Sequence, residues 1–348
     1  MGFDYRELKD ALALVGELCT TDQIKDVLRR RKGEDGVRLT AETKEGLVRR
    51  NLRDAVEAKA VGLDDVFDLI RSAEENGNQH IFYYRPRVRK IADMLSIEYV
   101  ARQLWPSDWE KVLASFPAIR VQPNDYRYTD LRLASTKKPK DWILKIYGHS
   151  VLTRSTGNEE RRPNNTVWRE YIEEELRSVL MARWNHPDLL EIRVQRNEGR
   201  ARIQAWQRKV WDMLSPALIP SQFTPWELSN AMARLLLKQE EYETTYTFRD
   251  ARVVDGSGIH ASFQTYAQHG GLFDSMQVRD ALKSFMEAKS DCTGLAITWL
   301  PRDGTPATEL RTLLAAKDLH EIVISGHCRN LDVDYVTDQL RFFSKTTS

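Results

Sequence analysis

Gly77-Asn78-Gln79-His80-Ile81-Phe82-Tyr83-Tyr84-Arg85-Pro86-Arg87 is the stretch on which the fold turns. Ile81 to Tyr84 is a dense β-branched and aromatic run, opened by Gly-Asn and closed by proline, and it is the first segment with the marks of a strand. Everything before it reads as helix. The stretch therefore predicts a boundary between an all-helical module and a mixed body, with the cations Arg85, Arg87, Arg89 and Lys90 at its end.

Upstream, Leu8, Ala11, Leu12, Val15 and Leu18 recur at the three-and-four spacing of an amphipathic helix. Thr20 with Gln23 three residues later is a capping box, and it opens a second helix through Ile24, Val27 and Leu28 into the basic cluster Arg29 to Lys32. Gly33 and Gly36 stop that helix. A short extended piece at Val37 to Leu39 precedes a third helix from Thr40, and a fourth follows Gly62.

Downstream, Val88 to Leu104 and Asp108 to Phe116 have helical spacing. Ile119 to Leu133 is expected to form a β hairpin turning at Pro123-Asn124-Asp125, and Trp142 to Leu152 is dense enough in apolar residues for a sheet interior. Ser155 to Pro163 reads as a polar loop. Glu170 to Met181 has good helix formers, so a helix is predicted from about residue 169. A strand at Leu189 to Gln195 and helices at Ala201 to Leu214 and Trp226 to Leu237 follow. In the last hundred residues, strands at Thr244 to Val254, His260 to Tyr266, Gly294 to Leu300 and Glu321 to Ser325 alternate with helices at Ser275 to Lys289, Thr308 to Lys317 and Val333 to Phe342. The expected class is α+β: a helical module (1–76), a basic α/β body (77–238) and a C-terminal α/β sandwich (239–348).

The 348 residues are 41% hydrophobic, enough for more than one core. No run approaches the length of a membrane span, and the opening residues lack the order of a signal peptide. Cytoplasm is the expected location, or the nucleus in a eukaryote, with no membrane partner. Cys19, Cys292 and Cys328 have no zinc-ligand or disulfide spacing. The net charge of +1 hides an asymmetry. Residues 111–215 hold twenty Lys and Arg against thirteen Asp and Glu, whereas residues 216–348 hold thirteen against seventeen. A basic middle is what contact with a polyanion requires.

Enzymatic signals are sparse. Gly256-Ser257-Gly258 lacks the third glycine and following helix of a dinucleotide fingerprint and reads as a hairpin turn. Glu57-Ala58-Lys59 and Glu287-Ala288-Lys289 have the spacing of a nuclease core but fall on predicted helices. Asp250, Asp255, His260 and His327, with His269 and His320 as further candidates, are the residues from which a hydrolase site would be built. No cofactor motif is present, and none is expected.

Binding signals are denser. Basic clusters stand at Arg29 to Lys32, Arg49-Arg50 with Arg53, Arg85 to Lys90, Lys137 to Lys140 and Arg161-Arg162. The order helix, basic loop, extended segment, helix over Ile24 to Leu52, with Lys44-Glu45-Gly46-Leu47-Val48-Arg49-Arg50-Asn51-Leu52, resembles the SAP motif, a small helix-extended-helix module. That resemblance implies binding to double-stranded DNA. The wider layout, a four-helix module leading through an aromatic strand into a Trp-headed β segment, resembles the centromere protein N family, which binds nucleosomes and partner proteins. The leading expectation is a non-catalytic DNA-binding or adaptor protein, with Arg29, Arg30, Arg31, Lys44, Arg49, Arg50, Arg87 and Lys90 on phosphates. Its C-terminal domain would then bind a protein partner or form a homodimer. The alternatives are a metal-dependent hydrolase or nuclease with its site in the C-terminal domain, and a protein-only subunit of a larger complex.

Overall fold

A computed structural model describes residues 5–118, 125–161, 163–195, 200–265, 270–287 and 290–345. The class is α+β, and the chain divides into two compact units, residues 1–85 with 224–348 and residues 86–223. Among the described residues, no helix is long and apolar enough to cross a membrane.

The first unit begins with α1 (Tyr5–Leu18) and α2 (Thr21–Arg30). The capping box forms as the sequence predicts: Thr20 Oγ1 accepts from the Gln23 amide at 3.2 Å, and Gln23 Oε1 accepts from the Thr20 amide at 2.8 Å. A turn through Gly36 and an irregular segment lead to α3 (Lys44–Gly46), a π-helical turn (Leu47–Leu52) and α4 (Arg53–Glu57). The third helix thus starts at Lys44, four residues after the expected Thr40. Its cap is Thr43, whose hydroxyl accepts from the Gly46 amide at 3.0 Å. With α5 (Leu63–Glu75), these helices bury one apolar side each: Leu8, Val15, Ile24, Leu28, Val48, Leu52, Val66 and Ile70 are all within 3% of full burial.

The chain then turns at Gly77 and Asn78, both with positive φ (81° and 47°). A Cβ at Gly77 would collide with the main chain of Gly326, so the turn requires glycine there. β1 (Gln79–Pro86) follows, with Ile81 to Tyr84 buried as expected.

The second unit opens with α6 (Arg89–Met94) and α7 (Ile97–Leu104), separate helices where one was predicted, because Ser96 caps the second through the Tyr99 amide at 3.2 Å. α8 (Trp109–Ala114) precedes an antiparallel meander of β2 (Arg127–Ser135), β3 (Lys138–Arg161), β4 (Val167–Asn185) and β5 (Leu189–Gln195). Most of the expected hairpin turn, residues 119–124, lies outside the described residues. Two expectations fail here. Residues 155–161 are strand and not loop, and the predicted helix from about 169 is β4. Its glutamates favour helix locally, but β3 pairs with it from Val167 to Trp184 and β5 from Leu180 to Asn185, so cross-strand hydrogen bonds override a propensity worth only tenths of a kcal/mol per residue. α9 (Arg200–Leu214) packs on β4 and β5.

After β6 (Phe223–Pro225) the chain is back in the first unit, with α10 (Ser229–Leu237). There it continues with β7 (Tyr246–Val254), β8 (His260–Gln264), α11 (Met276–Glu287), β9 (Asp291–Trp299), β10 (Leu310–Leu314), β11 (Glu321–Ile324) and α12 (Asn330–Ser344). The strand order β8-β7-β9-β10-β11-β1 is antiparallel throughout. β10 corrects the predicted helix over Thr308 to Lys317. Leu310, Thr312 and Leu314 are buried at period two between β9 and β11, and Thr312 Oγ1 meets the indole of Trp299 at 2.9 Å. The helix of Trp226 to Leu237 begins instead at Ser229, after a lead-in in which the Trp226 and Leu228 amides donate to the Tyr83 and Leu319 carbonyls at 2.9 and 2.8 Å.

Candidate functional site

The eight basic residues singled out from the sequence fall in both units. Arg29, Arg30, Arg31, Lys44, Arg49 and Arg50 belong to the helical part of the first, Arg87 and Lys90 to the second. Several are already neutralised. Arg29 pairs with Asp26 at 2.5 Å, Arg31 with Glu34 at 3.7 Å and Asp65 at 3.6 Å, and Arg49 with Glu45 at 3.1 Å. Arg30 and Arg50 are exposed, and no described carboxylate forms an ion pair with either. Arg87 donates from Nε to the Ser221 carbonyl at 2.9 Å, and Lys90 is exposed. Arg162 lies outside the described residues.

The structure brings two of the eight, Lys44 and Arg49, together with Arg53 of the same basic cluster and with Lys9, which the sequence pattern did not pick out. A groove of about 890 Å³ runs between α1 and the segment from Lys44 to Arg53. Its floor is apolar: Leu8, Leu12 and Ala13 from α1, and Val48 from the π-helical turn. Among the described residues, its rim carries Lys9, Lys44, Arg49 and Arg53 against the single carboxylate Glu45. Gly16 also lines it, and nothing lies within 4 Å of where its Cβ would stand.

Local sequence explains the arrangement. Leu8 and Leu12 are one helical turn apart, which puts Lys9 and Ala13 along the adjoining edge of the same face. Lys44, Val48 and Arg49, with Arg53 four residues on, repeat that geometry across the groove. The π-helical turn widens the spacing there, and Asn51 within it donates to the carbonyls of Arg38 and Thr40, each at 2.9 Å. This ties the irregular segment before α3 to the helix behind the groove. The rim pairs are weak. Arg53 meets Glu57 at 2.7 Å, but this pair and Arg49–Glu45 are exposed, and such pairs contribute about 0–1 kcal/mol, so an incoming anion displaces them at little cost. Cys19, close enough to feel Lys44, is inert: burial pushes its thiol up to about 12, and Sγ lies 3.8 Å from the Leu69 carbonyl.

The residues proposed for hydrolysis do not form one centre. Asp255 accepts from the Ser257 amide and hydroxyl and the Ile259 amide at 2.7–2.9 Å, bonds that hold its carboxyl below the usual range and close the β7–β8 turn. Asp250 stands opposite Gln264 and His260 opposite Val254, four residues along β7, or about 13 Å at strand spacing. His327 is exposed after β11. His269 and the residues Ala288-Lys289 lie outside the described residues. Glu57-Ala58-Lys59 ends α4, with Lys59 already turned to positive φ. Among the described residues, no group of three or more His, Cys, Asp or Glu is placed to hold a metal ion.

No protein-family model matches the chain, and no curated protein matches it in sequence.

Proposed function

We propose that the chain is a non-catalytic adaptor whose helical module takes an acidic, partly apolar segment of a protein partner. The observation that carries this reading is the composition of the groove: four cations, Lys9, Lys44, Arg49 and Arg53, around a floor of Leu8, Leu12, Ala13 and Val48. A phosphate backbone would satisfy the rim but leave the apolar floor wet. An amphipathic helix with Glu or Asp beside its apolar stripe satisfies both, in the familiar helix-in-groove manner. The number of cations favours several carboxylates over one.

A synthetic fluorescent helical peptide, leucines at helical spacing on one face and glutamates flanking them, tests this against the full chain by anisotropy. Gly16→Leu fills the groove without touching the core, and Lys44→Glu with Arg49→Glu reverses part of the rim. Binding weakened at least about tenfold by each change, and weakened by salt, supports the reading. Absence of binding at low salt, or indifference to both changes, overturns it. Binding of short duplex DNA that depends on Arg30 and Arg50 and ignores Gly16→Leu would replace it with the phosphate-backbone reading.

A further inference from the structure

β3 and β4 continue well past the strands that flank them. β2 accompanies β3 only as far as Tyr147, and β5 meets β4 only from Leu180. Beyond those points residues 151–161 and 167–175 pair with each other and with no further strand among the described residues, forming a two-stranded ribbon roughly 30 Å long. Such a ribbon is marginal in water, and a strand edge that no further strand flanks is a template for pairing with another chain. It also carries large apolar side chains in solvent: Trp168 is 56% exposed, Tyr171 55% and Ile172 53%. Charge separates the classes of partner. Over residues 151–175, six glutamates outnumber four arginines, so the ribbon is net negative and repels a phosphate backbone.

The β4 edge is complementary to itself. Two antiparallel copies related by a twofold axis must set residue i opposite residue j with the sum i + j even, because opposed residues share a face of the sheet. Five registers are centred on positions 169 to 173. Centring on Arg169 opposes two arginines, and centring on Glu170 or Glu173 opposes two glutamates. Centring on Ile172 sets position 170 against 174, glutamate on glutamate. Centring on Tyr171 opposes no like charges. It places Tyr171 against Tyr171 and Arg169 against Glu173 on both sides of the axis, and Ile172 against the aliphatic stem of Glu170 on the other face. Arg169 already leans along this row, meeting Glu159 of its own β3 at 2.7 Å.

We propose that this edge is a self-association surface: the β4 ribbons of two copies pair antiparallel about Tyr171, with each Arg169 facing Glu173 of the partner subunit. The result is a four-stranded sheet that covers both open β4 edges. It rests on different residues from the groove and stands whether or not that site binds a peptide.

Sedimentation velocity of the full chain over a concentration series tests it. A monomer–dimer equilibrium is expected, weakened at least about tenfold by Arg169→Glu and by Glu173→Arg, since the axis counts each clash twice, and restored in the double variant, where the charges are swapped. Mild oxidation of Tyr171→Cys, in a Cys328→Ser background, should cross-link the dimer, whereas Ile172→Cys, opposed to Glu170, should not. A chain that stays monomeric at all concentrations, a dimer insensitive to either single change, or a double variant no tighter than the singles would overturn the proposal. Equal cross-linking at 171 and 172 would overturn the register.

Discussion

The side-chain amide of Asn51 lies 2.9 Å from the carbonyl oxygen of Arg38, and the same nitrogen serves Thr40 at the same distance. One buried side chain thereby holds an irregular segment against the helix that forms one wall of the groove. Asn51→Leu keeps the volume and removes the donor. The cost is expected at about 1–3 kcal/mol, read as a lower urea midpoint with unchanged slope, together with faster amide exchange over residues 37–41.

In the second unit, Glu191 and Arg193 are fully buried on the same face of β5, joined at 2.6 and 2.8 Å, with the Asn185 amide on the other carboxylate oxygen. Arg193→Met leaves the carboxylate buried without its cation and should cost about 3–5 kcal/mol. The double change Glu191→Leu with Arg193→Met should cost less than the single one, a comparison that chemical denaturation makes directly.

His320 packs on the rings of Phe82 and Tyr84, and burial lowers its pKa from the ordinary 6.5 despite the opposing pull of Asp318, Glu321 and Glu227. The unfolded chain takes up a proton at the ordinary value, before the folded chain does. Its contribution to stability is therefore present above about pH 6.5 and is lost as pH falls through the folded value. The thermal midpoint should drop between about pH 7.5 and 5.5, and His320→Asn should flatten that dependence.

Of the three thiols, Cys19 and Cys292 are buried and their pKa values are pushed up to about 12, whereas Cys328 is half-buried. A thiol reagent at mildly alkaline pH should therefore titrate one cysteine per native chain and three in denaturant. Rapid labelling of Cys19 in the native protein would mean that the α1–α5 packing opens.

The parts of the fold legible in the sequence are those where local and tertiary preferences agree. The stripe of α1, the Thr20 and Gln23 capping box and the buried run Ile81 to Tyr84 all form where the pattern places them. β10 and most of β4 read as helix in the sequence, because Leu310 to Leu314 and Glu170 to Met181 are locally helix-prone. For the groove, the sequence supplied Lys44 and Arg49 but missed Lys9, which on its own is only a charged residue beside an apolar stripe. Arg29 and Arg31 are equally strong in the sequence, yet neither lines the groove.

The sequence by itself determined that this protein has a helical module, an aromatic first strand after it, and a capping box that starts its second helix in register. These follow from hydrophobic period and side-chain-to-backbone hydrogen bonds, both short-range. Only the tertiary structure decided that Glu170 to Glu175 is ribbon and that α1 faces the segment from Lys44 to Arg53 across a groove. Strand pairing and helix packing join residues far apart in the chain, and their summed hydrogen bonds and burial outweigh the small local preferences that a sequence displays.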